Sequence, residues 1–124
     1  MIRVVVVDDD SHLRDLFKMM LELEDGFEVV GEAGDGKAAI SRVEECQPDL
    51  VMLDLEMPVM DGLEALPRIL EAAPRTKVVV VSGFPEDSLE ARALAAGAVA
   101  YVSKGLSVEA LVRQLASVVE DEGG

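Results

Sequence analysis

Two runs of four consecutive valines, Val4-Val5-Val6-Val7 and Val78-Val79-Val80-Val81, constrain this chain more than any other feature. A strand that is apolar at every position, and not only at alternate ones, has to be covered on both faces. That is the situation of a central strand in a parallel sheet flanked by helices. Further runs of strand length recur, so strands are expected at 2–8, 28–33, 50–53, 77–82 and 99–102. The segments between them repeat their apolar residues at helical spacing. The alternation predicts an α/β fold of five βα units, with one parallel sheet and five helices.

The first helix is expected over 11–24, with Leu13, Leu16, Phe17, Met20 and Leu21 as its inner stripe and Gly26 as its stop. The second begins near Asp35-Gly36, turns Ala39, Ile40, Val43 and Cys46 inward and ends before Pro48. A third starts near Gly62 and buries Leu63, Leu66, Ile69 and Leu70; that start places Pro67 early, where a missing N–H costs little. An Ala-rich fourth helix spans 87–96 before Gly97, and a fifth follows Ser107 as N-cap, burying Leu111, Leu115 and Val118.

A length of 124 residues suits one domain, expected over 1–119 with 120–124 as a flexible tail or the start of a linker. Only 3% of residues are aromatic, so the core has to be built from Val, Leu, Ala, Ile and Met. The 25 acidic residues against 11 basic ones give a formal charge of -14, which repels a phosphate backbone; direct nucleic-acid binding by this chain is not expected. Cys46 is the single cysteine, so neither a disulfide nor a thiolate metal site is expected. The opening segment reads as neither a secretory leader nor a membrane span, and the expectation is a cytoplasmic domain without membrane contact.

In an open parallel sheet the ligand crevice lies at the carboxyl ends of the strands. The expected strands deliver Asp8-Asp9-Asp10, Asp54, Ser82-Gly83 and Ser103-Lys104 to that edge. Two carboxylates about 5 Å apart repel by roughly 3 kcal/mol at an effective dielectric of 20, so the cluster calls for a cation or a protonated member. Mg²⁺ prefers oxygen ligands and commonly takes one or two carboxylates with waters and a phosphoryl oxygen, a set that Asp9 and Asp54 can begin. Asp54 is then placed to act as a nucleophile toward phosphorus, with Lys104 and the metal neutralising phosphoryl oxygens and Ser82 hydrogen-bonding one of them. Asp10, Asp35 and Asp61 are read as capping or turn residues, and His12 as an exposed helix residue.

Taken in order, Val6-Val7-Asp8-Asp9, Leu53-Asp54-Leu55-Glu56-Met57-Pro58, Met60-Asp61-Gly62, Val81-Ser82-Gly83 and Tyr101-Val102-Ser103-Lys104 span the whole chain and resemble two-component response-regulator receiver domains. The resemblance implies a flavodoxin-like, doubly wound sheet of strand order 2-1-3-4-5. It implies Asp54 as phosphoacceptor, Mg²⁺ (or Mn²⁺) bound by Asp9, Asp54 and the main-chain carbonyl of Glu56, and Asp8 acting through water. Ser82 would be the switch hydroxyl, Lys104 the phosphoryl-pairing base, and Tyr101 the aromatic that reports phosphorylation on the partner-binding face. The implied partners are a sensor histidine kinase as donor and a C-terminal or separate output domain, with a phosphorylation-dependent homodimer left open. No enzyme activity is implied beyond self-catalysed phosphoryl acceptance and slow autodephosphorylation.

Receivers usually place proline after the lysine, in a cis peptide. Gly105 follows Lys104 here, a departure shared with receivers that precede helix-turn-helix output domains, so a cis bond is not to be assumed. Two alternatives stand beside this reading. One is a receiver that no longer turns over and serves as a docking module. The other is a haloacid-dehalogenase-type phosphatase with Asp8 as nucleophile and Asp10 as acid/base, which would leave Asp54 idle.

Overall fold

The valines of the first run are among the most deeply buried residues of the computed structural model, which describes residues 1–55, 61–83, 87–103 and 107–120. They lie in β1 (Ile2–Val7), followed by α1 (Ser11–Leu23), β2 (Phe27–Ala33), α2 (Gly36–Cys46), β3 (Leu50–Asp54) and α3 (Gly62–Ala72). The chain continues through β4 (Lys77–Ser82), α4 (Asp87–Ala95), β5 (Ala100–Ser103) and α5 (Val108–Glu120). All five strands are parallel, in the order β2-β1-β3-β4-β5. The expected fold is therefore the one observed.

Alternate side chains of the central strands feed two cores. Val5 and Val7 join Ala39 and Val43 of α2, Leu66 and Ile69 of α3 and Ala93 of α4. Val4 and Val6 join Phe17, Met20 and Leu21 of α1 and Leu111, Val112 and Leu115 of α5. Each fully buried Val or Leu is worth about 1.5–3 kcal/mol relative to exposure, so these two layers supply most of the drive to fold. No helix among the described residues is long and apolar enough to cross a membrane.

Several expectations shift in detail. Asp8 lies just past β1, Asp54 is the last residue of β3, β2 begins at Phe27, and β5 runs from Ala100 to Ser103 with Val99 outside it. Helix α1 ends at Leu23 and α4 at Ala95, each one residue short of the expected bound. Leu16 is 42% exposed and not part of the inner stripe. At 3.6 residues per turn it points roughly 90° from the centre of the arc formed by Phe17, Met20 and Leu21. Pro67 is the sixth residue of α3, beyond the first turn, where an N–H would ordinarily bond to the Leu63 carbonyl. The helix tolerates it because Pro67 is exposed, so the deficit falls on the solvent side.

Strand β2 carries one irregularity. Val4 pairs with Val29 but Val5 pairs with Gly31, so Val30 is an extra residue on the edge strand.

Candidate functional site

Strand register builds the site. Val7 is opposite Leu53, so the next residues on the two strands, Asp8 and Asp54, leave the sheet side by side. Asp54 pairs with Val81, which puts Ser82 one step further along β4, and Ser82 pairs with Ser103. Three strand tips thus deliver two carboxylates and a hydroxyl to one edge, at the point where the connections leaving β1 and β3 run in opposite directions, to β2 and to β4.

Asp8 and Asp54 are each 2% exposed and Ser82 is 1% exposed, while the neighbouring Asp9 is open to solvent. Asp8, Asp9 and Asp54 each offer a carboxylate oxygen within 4.8 Å of the others. At that separation an ionised pair repels by about 3.5 kcal/mol at an effective dielectric of 20, so the arrangement favours positive charge. The donors are all carboxylate oxygens, two at the floor and one at the rim, which suits a hard divalent cation that keeps waters on its open side.

The three consecutive aspartates have different tasks. The Asp8 N–H donates to the Ala33 carbonyl at 3.1 Å, extending the sheet ladder by one step. Its Oδ1 accepts the Asp10 N–H at 2.9 Å, and its carbonyl accepts Nη1 of Arg14 at 2.7 Å. Asp10 is the N-cap of α1, accepting the N–H groups of His12 and Leu13. Asp35 caps α2 and Asp61 caps α3 in the same way, as expected for these residues. His12 is exposed in the first turn of α1.

Behind Asp61, the Gly62 N–H donates to the Leu55 carbonyl at 3.1 Å, which ties the start of α3 to the end of β3. Tyr101 is half-buried on β5, opposite Val80, against the core that contains Ala93 of α4. Lys104, Glu56, the Lys104-Gly105 peptide and residues 121–124 lie outside the described residues.

Arg14 and Glu32 were not among the residues singled out from the sequence. Nε of Arg14 donates to Oε1 of Glu32 at 3.0 Å, and Nζ of Lys18 pairs with the second carboxylate oxygen. The hydrogen bonds from Lys18 and Arg14 hold the Glu32 carboxyl below its usual range, and the bond to Glu32 raises Lys18 above its own.

The chain belongs to the response regulator receiver domain family, whose pattern matches residues 4–116. Response regulator GacA of Pseudomonas viridiflava is 40% identical over 115 residues, 93% of this chain and 54% of that protein. A protein-glutamate methylesterase/protein-glutamine glutaminase of Geobacter sulfurreducens is 46% identical over 113 residues, 89% of this chain and 30% of that protein. Among solved structures, a chain of the CheX-CheY-BeF3-Mg²⁺ complex from Borrelia burgdorferi superposes with a TM-score of 0.88 at 27% identity, covering 94% of this chain and 88% of that one. The chain spans about half the length of the first relative and about a third of the second. Relatives of such different overall length carry the same domain, so identity within it does not separate one kind of output from another.

Proposed function

We propose that Asp54 accepts a phosphoryl group from a phosphohistidine on a sensor histidine kinase, assisted by Mg²⁺ or Mn²⁺. The observation that carries this reading is the convergence of Asp8, Asp9 and Asp54 within 4.8 Å, with Asp54 at a strand tip beside Ser82. Asp9 and Asp54 would ligate the cation directly, Asp8 would reach it through water, and the Glu56 main-chain carbonyl would complete the protein's share. When bound, the cation supplies charge neutralisation for the phosphoryl oxygens. The presence of Mg²⁺ and BeF3 in the CheX-CheY complex supports the same chemistry here.

In the transfer, an Asp54 carboxylate oxygen forms the new bond to phosphorus as the phosphorus–nitrogen bond to the kinase imidazole breaks, and the imidazole retains the electron pair and takes up a proton. Lys104 would pair with one phosphoryl oxygen and the Ser82 hydroxyl would donate to another. That pull on the end of β4, transmitted through α4 and Tyr101, would change the partner-binding face. The output domain or partner would read that face, and a cytoplasmic setting fits such an exchange.

The phosphatase alternative needs Asp10 as acid/base. Its carboxylate is engaged in capping α1, which argues against that role.

Incubation with acetyl phosphate and Mg²⁺, read by intact mass, tests the proposal. One phosphoryl group is expected on the wild type, none on Asp54→Asn and a reduced yield on Asp8→Asn. A label lost only with Asp8 would point to the phosphatase. No label on any form would leave the docking-module reading in its place.

A further inference from the structure

Glu32 lies on a face of β2 that strict alternation would deny it. Phe27 and Val29 join the core under α1 and α5, and Val30 joins the opposite core. Regular pleating would send Glu32 the same way as Val30, toward α2. The extra residue at Val30 reverses the phase, so that Ala33 enters the core beneath α2 and Glu32 turns to α1, where it meets Arg14 and Lys18. Bulges beside functional sites commonly re-aim a side chain in this way.

Arg14 uses two edges of its guanidinium. Nε is held by Glu32, and Nη1 donates to the Asp8 carbonyl at 2.7 Å. That carbonyl belongs to the peptide joining Asp8 to Asp9, the two acids that approach Asp54 from β1. Gly34 leaves room for the guanidinium, since a Cβ there would come within 3.2 Å of Nη1.

We propose that Arg14, oriented by Glu32 across the β2 bulge, is a positioning residue that fixes the Asp8–Asp9 peptide and thereby the cation-binding carboxylates. The inference rests on the cation site proposed above. Its sign separates it from a charge effect. A nearby cation acting by charge alone opposes Mg²⁺ binding, so weakening its hold would leave affinity unchanged or raise it. A positioning group does the reverse, and partners of this kind typically account for about 10–100-fold in metal affinity.

The test is calorimetric titration of the full chain with Mg²⁺ alone, using wild type, Arg14→Lys, Glu32→Gln and Lys18→Met, with a thermal melt of each. Arg14→Lys keeps the charge and loses the planar fork. It is expected to bind Mg²⁺ about tenfold more weakly. Glu32→Gln is expected to weaken binding several-fold even at about 1 M salt, where the Debye length is about 3 Å and its lost charge is screened. Lys18→Met, which shares Glu32 but not Asp8, should bind within about twofold of wild type. Wild-type affinity in Arg14→Lys, or equal weakening in Lys18→Met, would overturn the proposal. If Arg14→Lys does not fold, unchanged affinity in Glu32→Gln overturns it instead. A wild type that takes up no Mg²⁺ would instead sink the cation site itself, a result distinct from a wild type that binds alongside variants that bind equally well.

Discussion

Gly62 lies so close to Asp54 that a Cβ built on it would overlap the Asp54 carbonyl oxygen and sit 2.8 Å from the Leu55 Cα. Both neighbours are backbone of the Asp54–Leu55 segment, so neither can swing aside. Helix propensity alone would favour Ala here by up to about 1 kcal/mol. Overpacking against fixed atoms costs about 1–3 kcal/mol and more where backbone has to move, so the steric effect wins. Gly62→Ala is expected to lower stability by about 2 kcal/mol in urea unfolding and to slow phosphoryl uptake at Asp54. A variant as stable as wild type would show that the start of α3 can shift without disturbing β3.

Asp9 is the exposed member of the acidic trio, and neutralising it separates charge repulsion from metal binding. Without divalent cation, Asp9→Asn should be more stable than wild type by about 1 kcal/mol, because one carboxylate no longer opposes the others. With saturating Mg²⁺ the order should reverse, since a ligand that binds only the folded form stabilises it by mass action and the variant binds poorly. Melting temperatures with and without Mg²⁺ would check both signs. A variant that gains as much from Mg²⁺ as wild type would remove Asp9 from the ligand set.

How much of this was legible beforehand depends on what kind of signal each residue carries. The valine runs announce β1 and β4 because burial on both faces leaves no other pattern, and Asp8 and Ser82 follow at their ends, while Asp54 closes the shorter apolar run of β3. Asp10, Asp35 and Asp61 could be read as caps because a short acceptor before a helix has that local use. Leu16 departs from the expected stripe because it lies at the edge of the helical arc, where a residue's identity does not say which side it takes. Arg14 and Glu32 stayed hidden for a different reason. Their meeting depends on the phase reversal at Val30, whose mark in the run Glu28-Val29-Val30-Gly31-Glu32 is Gly31, and a glycine inside a strand fits a bulge or a close approach equally well.

Pro67 offers a direct measure of a local rule broken inside a helix. A proline in a helix interior costs about 3 kcal/mol through its lost hydrogen bond and its clash with the preceding turn. Its rigidity returns up to about 1 kcal/mol by restricting the unfolded chain. Because Pro67 is exposed, alanine there loses little burial and restores the bond to the Leu63 carbonyl. Pro67→Ala is expected to raise stability by about 1–2 kcal/mol, seen as a higher urea midpoint with an unchanged slope. A lower midpoint would mean that the ring contributes packing that outweighs the missing bond.

The bond between Glu32 and its two cations predicts a pH window. Hydrogen bonds from Lys18 and Arg14 lower the folded-state carboxyl of Glu32, so its contribution is complete above the unfolded value, near 4.3, and declines as pH falls through the lowered folded value. The same bond raises Lys18, whose share is complete below its ordinary value and is lost as pH rises through the raised one. The stability gap between wild type and Glu32→Gln should therefore be flat from about pH 5 to about pH 10 and narrow as pH falls below the ordinary carboxylate value, with the Lys18 share fading above the plateau. With the Glu32 side chain 37% exposed, the gap should be small and should shrink with added salt. Paired melts at constant ionic strength would trace it. A gap that persists unchanged at pH 3 would assign the stabilisation to packing by the Glu32 side chain and not to its charge.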